Sequence, residues 1–159
     1  MTTKNTDLVA NFEATPQVAN SAAELAGVLR TAHGSVELAA GDSTDNDIVM
    51  LAPIPSNAAV PTLFVGSDTF GGSCTFNVGI YQADGTVKDE DVFATSVADA
   101  AALTDVRYEA ADLNTGSKKL WELAGDSEDP GGYYYVAITF NATGGTAGTL
   151  NWNISYVVD

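Results

Sequence analysis

Reactive side chains are scarce in this sequence. It holds one cysteine, Cys74, and one histidine, His33, in 159 residues. A single cysteine excludes an intramolecular disulfide and suits a chain folded in a reducing cytosol. One cysteine and one histidine cannot assemble a zinc site. A Cys–His catalytic pair would need the two side by side, with the imidazole activating the thiol. Cys74 instead falls on the apolar side of an alternating stretch, where a free cysteine is inert packing. A GxSxG elbow, a P-loop and a GxGxxG turn after a strand are all absent.

Basic residues are nearly as rare. Six Lys and Arg stand against 21 Asp and Glu, a formal net charge of -15. Phosphate binding needs basic patches that release counterions, so nucleic acid and anionic lipid are excluded as partners. The acidity serves solubility, at some cost in self-repulsion. No apolar run approaches the roughly 20 residues of a membrane span. The opening MTTKNTDLVANFEATP lacks the apolar centre of a signal peptide, so a soluble protein folded in the cell that makes it is expected. On that footing the sequons at Asn141 and Asn153 read as chance matches.

What the sequence has is hydrophobic alternation. Apolar residues make up 45% of the chain, enough for one domain with a real core. In TLNWNISYVVD, Leu150, Trp152, Ile154, Tyr156 and Val158 alternate with Asn151, Asn153 and Ser155. That is the period of a strand with one dry and one wet face. YYYVAITFNA alternates likewise, and the glycine-rich TGGTAG between the two predicts a hairpin. CTFNVGIY puts Cys74, Phe76, Val78 and Ile80 on one face and runs to a turn at Asp84-Gly85. Further strands are expected over 35–39, 48–51, 62–65, 106–110 and 119–124. Helix is expected at two places only. One follows a capping box at Ser21 and Glu24, with Leu25, Val28 and Leu29 at helical spacing. The other covers 89–103, alanine-rich with acids at its start.

Three prolines organise the middle of the chain. Pro53 and Pro55 each lack a backbone donor and hold Ala52 and Ile54 extended, so pairing is expected to stop there. Ser56 and Asn57 can turn the chain. Val60-Pro61 then opens the next strand, and Gly71-Gly72-Ser73 turns it back. A chain that leaves one sheet and enters the facing one in this way predicts an all-β jelly-roll, a Greek-key sandwich of about eight strands with at most one or two short helices. The sandwich is expected over residues 34–159, preceded by an arm over 1–33, part of it helical.

Acids cluster at Asp42, Asp45 and Asp47, at Asp89, Glu90 and Asp91, and at Asp126, Glu128 and Asp129. None has EF-hand spacing or a closing glutamate, so solvated loop charge is the expectation. A glycosidase would need two carboxylates about 5–9 Å apart, and nothing singles out a pair. Tyr81, Tyr108, Trp121 and Tyr133-Tyr134-Tyr135 could stack on a sugar, but core and subunit interfaces use the same residues.

Several of these features together resemble a family of small jelly-roll proteins encoded in the structural modules of tailed bacteriophages. They are Asp47-Ile48-Val49-Met50, Pro55 with Ala58-Ala59-Val60, Ser67-Asp68, Gly71-Gly72, Gly79-Ile80-Tyr81, Asp84-Gly85 and Asp91-Val92-Phe93-Ala94-Thr95, with the closing strands from Tyr134. The likeness covers residues 34–159. Pro53, Pro61 and the N-terminal segment depart from the pattern. The resemblance implies a virion protein with no reaction to perform and no cofactor or metal. It would be made in the host cytoplasm and would decorate and cement the outside of the capsid. Its partners would be the major capsid protein and further copies of itself, as a trimer. Leu8, Val9, Phe12, Val18 and Leu25 of the arm, with Tyr133 and Tyr135, would make the contacts. A carbohydrate-binding β-sandwich module and a tail or baseplate accessory protein are the alternative expectations.

Overall fold

The alternation resolves into two antiparallel sheets in this computed structural model, which describes residues 5–22, 24–25, 27–99, 102–107 and 114–158. A helix α1 (Asp7–Glu13) precedes the strands β1 (Leu29–Leu38), β2 (Ile48–Pro55), β3 (Ala58–Ser67), β4 (Thr75–Tyr81), β5 (Val87–Ala98) and β6 (Thr104–Asp105). A one-turn helix α2 (Leu120–Leu123), then β7 (Tyr133–Phe140) and β8 (Gly148–Val158), complete the order. One sheet runs β1-β8-β3-β6 and the other β2-β7-β4-β5. Only β4 and β5 are joined within a sheet; every other connection between successive strands crosses to the facing sheet. The expected jelly-roll is the fold.

The core lies between the sheets. Leu63, Val65, Leu150 and Ile154 face Phe76, Val78, Ile80, Val136, Ile138 and Phe140, all buried. Burying side chains of this size stabilises by roughly 1.5–3 kcal/mol each. Phe140 takes Phe70 and Phe76 edge-on, with centroids 5.5 and 6.1 Å away. Arg107 is buried beside this core. Its Nε donates to the Val60 carbonyl at 2.7 Å and a terminal nitrogen to the Thr115 carbonyl at 2.8 Å. The guanidinium lies 5.1 Å from the Phe93 ring centroid.

Local expectations fared unevenly. The Asp84-Gly85 hairpin forms, with Gly85 at φ 85°. The crossover at Ser56-Asn57 also forms, but the prolines do not end the strand before it. β2 continues through Pro53 and Pro55, opposite Tyr135 and Tyr133. β2 is an edge strand, and residues two apart present their nitrogens to the same side. With Ser56 N–H donating to the Gly132 carbonyl on the β7 side, the nitrogens of both prolines lie on the side of β2 away from β7. Pro61 does not open β3 either. It lies within that strand, where the register with β8 shifts between Ala59 and Thr62 and frees it from pairing.

Five other expectations are corrected. Residues 89–98 are strand and not helix, because Phe93, Ala94 and Val97 are needed on the core while their backbone pairs with β4. Residues 120–123 are helix and not strand; the Glu122 carboxylate accepts the Lys119 N–H at 2.8 Å and caps the turn. The segment after Ser21 makes a single turn, with the Glu24 and Leu25 N–H groups on the Ser21 carbonyl, and then extends into β1. Strand was expected from 106, but it occupies Thr104–Asp105, while 108–110 lie outside the described residues. Finally, β7 and β8 are not a hairpin. They belong to different sheets, and the glycine loop crosses between them, with Gly144 N–H on the Ser43 carbonyl at 2.7 Å and Thr146 N–H on the Phe70 carbonyl at 2.9 Å. The strand β1 starts at Leu29, so its first residues come from the stretch expected to be arm.

Candidate functional site

The chemically active side chains are kept apart. His33 lies on β1 opposite Asn153, while Cys74 is buried just before β4 in the other sheet. The Cys74 thiol donates to the Ala142 carbonyl at 3.1 Å, and burial first, then the charge of Asp99, pushes its pKa up. Among the described residues no three His, Cys, Asp or Glu gather in a way that could hold a metal ion.

The acids are occupied in building turns. Asp47 accepts from the Thr44 hydroxyl and, at 2.8 Å, from the Thr44 N–H, which hold its pKa down. Asp129 accepts from the Ser56 hydroxyl at 2.6 Å and from Gly131 N–H at 2.9 Å, with the same effect. Asp99 accepts from Phe70 N–H at 2.7 Å and Gly71 N–H at 3.2 Å, tying down the glycine turn. Asp126 holds Lys88 at 2.8 Å and accepts from the Tyr134 hydroxyl. Burial, then the bond and charge of Asp126, push the Tyr134 phenol up to about 12. Asp89 accepts from Asp91 N–H at 3.3 Å, and burial leads in raising its pKa.

Two apolar surfaces stand out among the described residues. The first is the segment before β1. In α1, Leu8 and Phe12 are four residues apart and Val9 and Phe12 three apart, so they share one side of the helix. No residue of α1 is buried, and Phe12 is 66% exposed. Val18 and Leu25 are exposed too. An isolated helix this short is marginal in water. It is braced by polar side chains: Asn11 donates to Asn20 at 2.8 Å, and Asn20 donates to the Leu8 carbonyl at 3.2 Å.

The second surface is the outer face of the β2 sheet. In register across it run Pro53, Tyr135, Tyr81 and Val87, with Pro55 opposite Tyr133. The three tyrosines of β7 divide by parity. Tyr134 points inward to Asp126, while Tyr133 is 64% exposed and Tyr135 half-buried. Tyr81 is covered, because β5 bulges outward over β4 and lays the backbone of Asp89 and Glu90 on Gly79. Ile48 and Met50 continue the exposed apolar strip along β2. Sequence reasoning missed both, since a short apolar run reads as buried on either face. Trp121, a candidate sugar platform, is partly buried against the core. Tyr108 lies outside the described residues.

No family model matches the sequence, and no curated protein matches it. Solved structures do match. A chain of the cyanophage Pam1 capsid asymmetric unit aligns at 20% identity and TM-score 0.50, over 84% of this chain and 86% of that one. This chain shares its fold with a phage capsid chain. The capsid of Ralstonia phage GP4 aligns at 17% identity and TM-score 0.49, over 84% of this chain and 86% of that one. The acidic stable capsid of Helicobacter pylori bacteriophage KHP30 aligns at 14% identity and TM-score 0.37, over 82% and 94%. Only the first of the three reaches 0.5.

Proposed function

We propose that this protein is a structural component of a tailed-phage virion, a decoration protein that seats on the outside of the head. It binds the major capsid protein and further copies of itself, as a trimer, and bridges neighbouring shell subunits. The observation that carries this reading is the segment before β1: among the described residues, Val9, Phe12, Val18 and Leu25 present exposed apolar surface, with Leu8 half-buried beside them. Apolar area left in water over a defined segment fits a surface made for another protein. Tyr133 and Tyr135 on the β2 sheet supply a second, rigid contact of the kind enriched at interfaces. The jelly-roll shared with the Pam1 capsid chain supports a place in a capsid. A net charge of -15 fits a position away from packaged genome.

The test mixes purified protein with expanded heads that lack it. Stoichiometric co-sedimentation is expected, and deletion of residues 1–25 should weaken it at least tenfold without unfolding the sandwich. Sedimentation velocity should give three times the monomer mass. Failure to bind heads, together with tight binding on a glycan array, would replace the proposal with a carbohydrate-binding module.

A further inference from the structure

A sandwich of two open sheets has four edges, and an unprotected edge recruits strands from other chains. Three of the four are protected here. β2 turns the nitrogens of Pro53 and Pro55 outward. β5 is broken by register shifts, carries Asp89, Glu90 and Asp91, and bends at Ser96, whose φ is 55°. β6 is two residues long. The remaining edge, β1, has none of these devices. It runs ten residues without proline, pairs with β8 residue for residue with no register shift, and among the described residues has no strand on its other side. Among the described residues, no loop or arm backbone bonds to the backbone of β1. Alternate N–H and C=O groups along it therefore meet no backbone partner among the described residues.

Beside this edge, where β1 and β2 approach each other across the mouth of the sandwich, lies a groove of about 500 Å³. Val36, Ile48 and Met50 give it apolar walls, and Glu37, Asp42 and Asp47 give it a negative rim. The charge selects the occupant. A second copy of this chain would bring its own net charge of -15 to an acidic rim. A segment with apolar residues at alternate positions and a Lys or Arg beside them meets the backbone row, the apolar walls and the acids together.

We propose that the free edge of β1 and the adjoining groove accept an extended, basic segment of the shell subunit, which adds to the β1 sheet as a fifth strand. This rests on the head-binding reading above and names the part of the molecule that makes the sequence-tolerant contact.

Hydrogen exchange on the full-length protein, free and bound to heads, tests it. Alternate amides of residues 29–38 should slow at least tenfold on binding. Two proline variants, Ser35→Pro and Val36→Pro, supply the mutational arm. Adjacent residues point their N–H groups to opposite sides, so one variant strikes the β8 ladder and melts early. The other touches only the open edge, keeps its melting temperature and should bind heads at least tenfold more weakly. Met50→Lys, which removes an apolar wall and adds like charge at an exposed groove position, should weaken binding similarly with no loss of fold. Head binding with unchanged β1 exchange and unchanged variant affinity would overturn the inference and leave the head-binding reading standing. Protection of β1 that grows with protein concentration in the absence of heads would overturn it in favour of pairing between copies. Absence of any head binding would overturn both.

Discussion

Gly79 should be the least replaceable glycine in the sheets. A Cβ there would lie 2.1 Å from the Asp89 carbonyl oxygen and 2.5 Å from that of Glu90. Ordinary contact begins near 3.4 Å, so the β5 bulge would have to retreat by more than 1 Å. The obstacle is backbone and cannot rotate away as a side chain could. Overpacking of this kind costs about 1–3 kcal/mol, and displacement of the bulge also uncovers Tyr81, so about 2–3 kcal/mol is expected for Gly79→Ala. In a domain of this size each kcal/mol moves the melting temperature by about 2–4 °C, which gives a fall of roughly 4–12 °C. Gly41→Ala is the control. Nothing lies within 4 Å of a Cβ at that position, and the substitution should be neutral or slightly stabilising. Thermal and urea denaturation of both variants measure the difference. If Gly79→Ala melted with Gly41→Ala, the bulge would not be packed on β4 and the account of the β2 sheet's outer face would fail.

Arg107→Ala should destabilise by about 3–5 kcal/mol in urea denaturation, since it strands the buried Val60 and Thr115 carbonyls and removes the cation from the Phe93 ring. The Asp126–Tyr134 pair should mark both ends of the pH-stability curve. The Lys88 hydrogen bond, followed by the Tyr134 hydroxyl, holds the Asp126 carboxyl below its ordinary value of 3.8, so its contribution is present above that pH and lost as pH falls through the folded value. Wild type should therefore lose more stability than Asp126→Asn between pH 5 and about pH 3, by urea midpoint. Tyr134, pushed from 10.0 to about 12, contributes below pH 10.0 and loses that contribution as pH rises toward 12; Tyr134→Phe should flatten the alkaline limb. Cys74, 1% exposed, should resist thiol reagents in the folded protein and react at once in denaturant.

The sandwich was legible because β4, β7 and β8 carry period-two alternation strong enough to dictate a face for each residue. The same parity places Tyr133 and Tyr135 outside and Tyr134 inside. The passage from β2 to β3 was legible in Ser56-Asn57. What failed depended on partners distant in the chain. Residues 89–98 have alanines and leading acids that suit a helix taken alone, but β4 offers them a ladder and Gly79 a seat for their backbone. The TGGTAG loop reads the same whether it returns to its own sheet or crosses to the other. Edge position is likewise absent from local sequence, so the prolines of β2 looked like terminators when they are edge guards, and the bare edge of β1 had no signature at all. Arg107, one base among six, gave no sign of being buried.

The strand that leaves the ribosome first among the eight is paired to the one that leaves last. β8 lies between β1 and β3, so neither can complete its ladder until Gly148–Val158 is available. A nascent chain must therefore keep two unsatisfied strands in waiting until β8 has been made. Contacts so distant in sequence make for folding in milliseconds to seconds rather than microseconds. A stop placed just before Gly148 would leave β1 unpaired and β3 without its β8 neighbour, and such a product should be cleared or aggregate rather than persist.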